Sequence, residues 1–275
     1  MDQWAHPWAA PRYGKALQMT DRDEVRQRLR DRGPEAALVM DFDGVLSPIT
    51  ADPAGSRLLD GTSEVLAALA ERLGLVALLS GRPVSFLADR VSVPGVLLLG
   101  SYGTEQLIDG HHEVRPETRA WQPKVHAARD QLSGRLAGRP GLHVEDKDWS
   151  VAVHWRQAPD REDAGALVAD VAGAVAEETG LRLEPGKFVL ELRPPGDETK
   201  GTALHRLAAG SSCTTFAYAG DDRGDLPAFA AVAELDGFPL IVHGAEIADE
   251  VRNVAGTHFA GPADFADWLR RLSQG

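Results

Sequence analysis

The chain has 275 residues, 43% hydrophobic and 25% charged, with a formal net charge of −12. This is an ordinary balance for a soluble globular protein. The negative charge argues against nucleic acid or an anionic membrane as the main partner, while leaving room for a phosphorylated small molecule in a locally cationic cleft. Cys213 is the single cysteine, so no internal disulfide can form, and a reducing, cytoplasmic compartment is expected.

In chain order, residues 1–33 read as an N-terminal arm carrying Trp4, Trp8 and Tyr13 among prolines, then a helix capped by Thr20 and closed by Gly33-Pro34. The start Asp2-Gln3-Trp4 lacks the basic-then-apolar layout of a signal peptide. No later stretch approaches the ~20 apolar residues of a membrane span. Ala36 to Met40 is a short, uninterrupted apolar run, as a buried parallel strand reads, and it breaks into Asp41, Phe42, Asp43 and Gly44. Carboxylates spaced i, i+2 at a strand end point to one side, where their repulsion calls for compensation, and a hard divalent cation supplies it. An Asx-type turn would look the same locally.

A helix from Thr62 with Val65, Leu66, Leu69 and Leu73 on one side leads to a second apolar strand, Leu75 to Leu79, ending in Ser80-Gly81-Arg82-Pro83. Pro83 is expected to open the next helix, and Val96 to Leu99 makes a third strand before Gly100 to Glu105. Strand, helix, strand, helix, strand in this rhythm predicts a parallel, doubly wound sheet with its ligand site beyond the carboxyl ends of the strands. The texture changes at Asp109-Gly110. A helix over 117–136, strand-like segments over 143–156 and 181–193, and a helix near 161–178 predict an inserted α+β module. The core rhythm then resumes. Lys200 opens a helix, residues 215–219 form a strand ending in Gly220-Asp221-Asp222-Arg223-Gly224-Asp225, and a strand over 239–242 and a helix over 263–272 follow. The expected organisation is an α/β core of residues 34–108 and 197–275, with an α+β cap over 109–196 acting as a substrate-recognition lid.

Four loops therefore carry chemistry: Asp41/Asp43, Ser80, Lys200 and Asp221/Asp225. Together they meet the needs of phosphoryl transfer to a carboxylate, which splits one hard hydrolysis into two easier steps. A second acid moves the protons, a hydroxyl and an ammonium hold the phosphoryl oxygens, and Mg²⁺ offsets the charge. Singly, Ser80 also suits a helix cap, Lys200 a solvated surface lysine and Asp225 an early-helix acid. Their joint occurrence at element ends favours the catalytic reading.

The segments DFDGVLSPI, LLSGRP, Lys200 and GDDRGD resemble the four ordered motifs of the haloacid dehalogenase superfamily. GSYGTE, VEDKDWSVAVHWR and KFVLELRPPGDETK are similar to segments of trehalose-6-phosphate phosphatases. The resemblance covers about Ala36 to the C-terminus. It implies a haloacid dehalogenase-like core and an Mg²⁺-dependent phosphatase releasing trehalose and phosphate. In it, Asp41 is the nucleophile and Asp43 the general acid/base, while Ser80, Gly81, Arg82 and Lys200 serve the phosphate. It further implies a metal held by Asp41, the Asp43 carbonyl, Asp221 and Asp225, with Glu105, Lys147, Glu191 and Arg193 facing the sugar. Where the family usually reads Thr-Asp-Glu-Asp, this chain has Gly224-Asp225-Leu226-Pro227, so only one acid persists. The expected partner is a small sugar phosphate, with no nucleic acid, no membrane and a monomeric chain. Phosphatases of sucrose or mannosylglycerate phosphates share the chemistry, and a non-catalytic sugar-phosphate sensor is the alternative from another class.

Overall fold

The computed structural model describes residues 21–50, 55–186, 188–244 and 247–274. The N-terminal arm with its aromatic residues lies outside the described residues, as does Thr20. Helix α1 (Arg22–Arg32) is capped instead by Asp21, whose side chain accepts from the Asp23 amide at 2.7 Å. Val25 and Leu29 are its buried stripe.

The chain then runs through β1 (Ala36–Met40), α2 (Thr62–Ala70), β2 (Leu75–Leu79), α3 (Val84–Ala88), β3 (Val96–Gly100), β4 (Glu105–Ile108) and β5 (His111–Val114). It continues with α4 (Pro116–Arg119), α5 (Gln122–Arg135), β6 (His143–Asp146), β7 (Val151–His154), α6 (Arg161–Thr179), β8 (Arg182–Gly186) and β9 (Val189–Arg193). It closes with α7 (Lys200–Gly210), β10 (Thr215–Gly220), α8 (Leu226–Glu234), β11 (Phe238–Val242), α9 (Asp249–Arg252), β12 (Thr257–Phe259) and α10 (Pro262–Ser273). The protein divides into two compact units, one of Met1–Ala77 with Lys200–Gly275, the other of Leu78–Thr199. The division falls inside β2.

In the first unit the strands follow the order β12-β11-β10-β1-β2. The pairs β1–β10, β10–β11 and β11–β12 are parallel. All five residues of β1 are buried, which is why this strand carries no polar alternation. Register sets Met40 beside Ala219, and the Asp41 amide donates to the Ala219 carbonyl at 2.9 Å. The acids that follow β1 and β10 therefore emerge side by side at the same carboxyl edge.

The second unit holds an antiparallel run β3-β4-β5 and a separate antiparallel sheet in the order β6-β7-β9-β8. Its core packs Val125 and Leu132 of α5 and Val168, Ala172 and Val175 of α6 on Val151, Val153 and Leu192 of the sheet. The hairpin β4–β5 turns at Asp109-Gly110, with both residues at positive φ, 47° and 82°. The change of texture at Asp109 is thus a tight turn between two strands. The helix expected over 117–136 is two helices separated at Ala120-Trp121, because Pro123 restarts the second one. Pro83 stands as the N-cap of α3, one residue before its expected place.

Candidate active site

Asp41 directly follows β1 and is 5% exposed. Its loop is held from inside. Phe42, Val45 and Leu46 are buried, and the Phe42 carbonyl accepts from the Leu46 and Ser47 amides at 3.0 Å each. One Asp41 oxygen accepts from the Phe42 amide at 2.6 Å, and the other from Lys200 Nζ at 2.5 Å. Lys200, the first residue of α7, is buried and also bonds Asp225 Oδ1 at 2.6 Å. It is therefore no surface lysine. A single ammonium bridges two carboxylates brought from opposite ends of the sequence.

Asp225 is wholly buried and its two oxygens are fully engaged. Oδ1 takes Lys200 and the Tyr218 hydroxyl, at 2.6 Å each, and Oδ2 takes the Asp221 and Asp222 amides at 2.8 and 3.1 Å. These bonds fold the turn after β10, which closes as a capping box between Asp222 and Asp225. Burial works against ionisation of Asp225, but Lys200, Tyr218 and the amides outweigh it and hold its pKa below the usual carboxylate value. Burial alone would likewise lower Lys200, but Asp225 and Asp41 hold it well above the ordinary lysine range.

Asp221 is different. It is 6% exposed, and among the described residues no group donates a hydrogen bond to its carboxylate. Burial, then the charges of Asp225, Asp222 and Asp41, push its pKa up to about 10. Burial also raises Asp41, to about 7, against the pull of Lys200. Oxygens of Asp41, Asp221 and Asp225 lie within 4.8 Å of one another. An all-oxygen set carrying more negative charge than one lysine neutralises fits a hard divalent cation, which would take the place of the proton that Asp221 otherwise retains. Asp43 lies two residues beyond Asp41, half-buried and bridged to Ser47, and its carboxylate is not part of this three-acid cluster.

Two glycines make the cluster possible. Gly44 adopts φ +77°, and a Cβ there would overlap the Asp221 carboxylate; a Cβ on Gly220 would overlap that of Asp225. Gly44→Ala is therefore expected to lower stability by about 1–3 kcal/mol, by combining backbone strain with a steric clash. Activity should fall with it, measured by thermal melting and phosphate release. A variant as stable and active as the parent would show that the loop tolerates a displaced Asp221.

In the second unit, Ser80 is buried, and its hydroxyl accepts from the Arg82 amide at 3.3 Å. The Arg82 guanidinium lies 4.4 Å from the Phe86 ring centroid and 3.8 Å from Glu145. Gly81 faces the Tyr102 ring, which a Cβ would meet at 3.0 Å. Glu105 is buried and accepts from the Val84 amide, the Ser101 hydroxyl, His112 and the Trp149 indole at 2.8–3.2 Å. Four donors fill its lone pairs, so Glu105 knits the unit together and leaves no oxygen open to a sugar hydroxyl. Lys147 Nζ bonds Glu191 at 3.1 Å, and Ser150 bonds the other Glu191 oxygen at 2.5 Å. Arg193 stacks 3.8 Å from the centroid of Tyr102 and donates to the Glu198 carbonyl at 3.1 Å.

Two residues of these clusters carry no sequence-derived role. Tyr218 reads as core in the run Thr215 to Gly220, yet its hydroxyl fixes Asp225. Glu145 bonds His154 at 2.7 Å. Burial would raise its pKa, but His154, Lys147 and Arg82 bring it down to about 2. Its place two residues before Lys147 was the available signal.

Comparison with known proteins agrees with this architecture. The trehalose-phosphatase family model matches residues 39–259. The chain is 37% identical over 249 residues to a trehalose-phosphate phosphatase of Mycobacterium avium, covering 88% of this chain and 63% of that protein. It is 34% identical over 298 residues to that of Mycobacterium marinum, covering 99% and 75%. The chain thus spans 63% to 75% of the length of these curated relatives. The fold is similar to that of a trehalose-6-phosphate phosphatase related protein, with a TM-score of 0.74 at 21% identity over 86% of this chain and 97% of that one. It is also similar to the C-terminal domain of the Candida albicans trehalose-6-phosphate phosphatase, with a TM-score of 0.73 at 21% identity over 95% and 99%. With its family model matched from β1 through β12, the chain belongs to the trehalose-phosphatase family.

Proposed function

We propose that the protein is a phosphatase that hydrolyses trehalose 6-phosphate to trehalose and phosphate through an aspartyl-phosphate on Asp41. The observation that carries this reading is the buried Asp41–Lys200–Asp225 bridge beside the buried third acid, Asp221, on a chain of this family. Lys200 holds Asp41 by one oxygen, fixing the carboxylate for attack on phosphorus. As the bond to the sugar oxygen breaks, Asp43 gives the leaving alkoxide its proton, and it then takes one from the water that attacks the acyl phosphate. Ser80, Gly81, Arg82 and Lys200 are assigned to the phosphoryl oxygens. Mg²⁺, held by Asp41, Asp221 and the Asp43 carbonyl, would supply charge neutralisation between carboxylate and phosphate. Asp225 adds its charge to that set while its own oxygens keep Lys200 and the 221–222 backbone in place.

Lys147, Glu191 and Arg193 are assigned to the sugar hydroxyls, with Glu105 as the group that holds their surroundings rigid. Lys147→Ala or Glu191→Ala should lower kcat/KM for trehalose 6-phosphate about 100-fold, as loss of a buried charged hydrogen bond does, and leave an aryl phosphate nearly untouched. Equal losses on both substrates would place these residues in the scaffold. A single buried cysteine suits a cytoplasmic setting, and among the described residues no helix is long and apolar enough to cross a membrane.

The deciding experiment is phosphate release across trehalose, sucrose, mannosylglycerate and glucose phosphates, with Mg²⁺, with Ca²⁺ and with a chelator. Trehalose 6-phosphate should lead the panel. Activity should vanish with the chelator, return with Mg²⁺ and return poorly with Ca²⁺, whose larger, looser shell misplaces the in-line geometry. Preference for another sugar phosphate would overturn the substrate, and full activity with the chelator would overturn the metal.

A further inference from the structure

The second unit contains a cavity of about 270 Å³ bordered by Tyr102, Trp121 and Trp149, with Arg115, Arg193 and Glu198 among its polar groups. Neither Lys147 nor Glu191 borders it, and of the side chains assigned to the sugar phosphate only Arg193 does.

Its walls are costly to build. Ser101 and Tyr102 both sit at positive φ, 50° and 60°, a pair of non-glycine residues in the left-handed region. Tyr102 lies close against Gly81 and carries the Arg193 guanidinium over its ring. The Trp149 indole is fixed by its bond to Glu105 at 3.2 Å, and Trp121 carries Lys124 Nζ at 4.3 Å from its ring centroid. One donor is ion-paired without a well-formed hydrogen bond. Arg115 Nε is buried without a hydrogen bond among the described residues, with Glu198 Oε1 at 3.4 Å. Leaving such a donor unmet costs free energy, and a ligand oxygen would satisfy it.

We infer that this cavity is a second carbohydrate site, taking one pyranose ring of a neutral sugar. Aromatic walls suit the apolar faces of such a ring, while guanidinium donors and a carboxylate acceptor match its hydroxyls. The charges balance. Arg115 and Arg193 stand against Glu198 and against Glu117, which lies 3.6 Å from Arg115, so no net positive charge remains for a phosphate. The volume lies just under the roughly 300–1,000 Å³ of ordinary small-molecule pockets, enough for one ring and too small for two. A disaccharide would insert one ring and leave the other outside.

The test is calorimetric titration of the full chain with glucose, with trehalose and with inorganic phosphate, run in parallel on Arg115→Gln, Trp121→Leu, Trp121→Phe and Lys147→Ala, each checked by circular dichroism. The inference expects sugar binding that survives Lys147→Ala. It should weaken at least tenfold in Arg115→Gln and Trp121→Leu, recover in part in Trp121→Phe, and have no counterpart with phosphate. Sugar binding lost in Lys147→Ala but unchanged in the Arg115 and Trp121 variants would overturn it, as would no sugar binding at all, or phosphate binding that depends on Arg115. Hydrolysis of trehalose 6-phosphate is measured separately, so failure of the proposed reaction and failure of the second site give different results.

Discussion

Asp41→Asn is expected to lower turnover of trehalose 6-phosphate by roughly 10⁴-fold or more while the protein stays folded. The amide is isosteric and still accepts from the Phe42 amide, so the loop after β1 keeps its main anchor. What is lost is the nucleophilic oxygen, one charge of the three-acid cluster and the bond from Lys200, because the amide nitrogen that faces it can only donate; Lys200 keeps its bond to Asp225. The variant should even gain some compatibility with burial, because desolvation is the largest influence raising Asp41 in the parent. A folded protein that melts somewhat below the parent, with Lys200 still paired to Asp225, and shows no turnover is therefore the expected result. Substantial residual turnover on a folded variant would mean that water attacks phosphorus directly.

Lys200→Met is the other large effect, and it falls on stability as well as rate. The lysine bridges Asp41 and Asp225 at 2.5 and 2.6 Å with almost no solvent access. Breaking a buried ion pair by removing one partner typically costs about 3–5 kcal/mol, because the remaining charge stays buried and uncompensated. Here two carboxylates are stranded, beside an Asp221 that burial and its acidic neighbours already hold in its protonated form. The variant should unfold at markedly lower denaturant and show no measurable turnover. Acidification should offset part of the stability loss, since protonating the stranded acids removes the buried charge. If Lys200→Met melted with the parent, the ammonium would not be neutralising these acids in solution.

Much of this site could be read along the chain because its parts are short and local. The apolar strand Ala36–Met40 announces its own burial, and a pair of acids at its end is a local signal. The order of strands and helices likewise follows from hydrophobic period and turn residues, as the parallel pairing of β1 with β10 bears out. What the sequence hid is who bonds whom. Asp225 reads as an acid near a metal, yet in the fold it is the post that holds Lys200, Tyr218 and the turn after β10. Glu105 reads as a charged group at a loop end, and its four donors come from Val84, Ser101, His112 and Trp149, spread over 66 positions of chain (84 to 149, counting both ends). No local pattern encodes such convergence. The hairpin β4–β5 was missed for a related reason. Exposed His111, His112 and Glu113 lack the apolar alternation of a half-buried strand, and only backbone pairing to β4 makes them one.

The most direct test is to mix the Mg²⁺-loaded protein with trehalose 6-phosphate, quench in acid within the first turnover, and map the modified peptide by mass spectrometry. The account predicts one phosphoryl group on Asp41, absent from Asp41→Asn and absent when trehalose replaces its phosphate. A phosphoryl group on any other residue, or full turnover with no trapped adduct at any quench time, would contradict it.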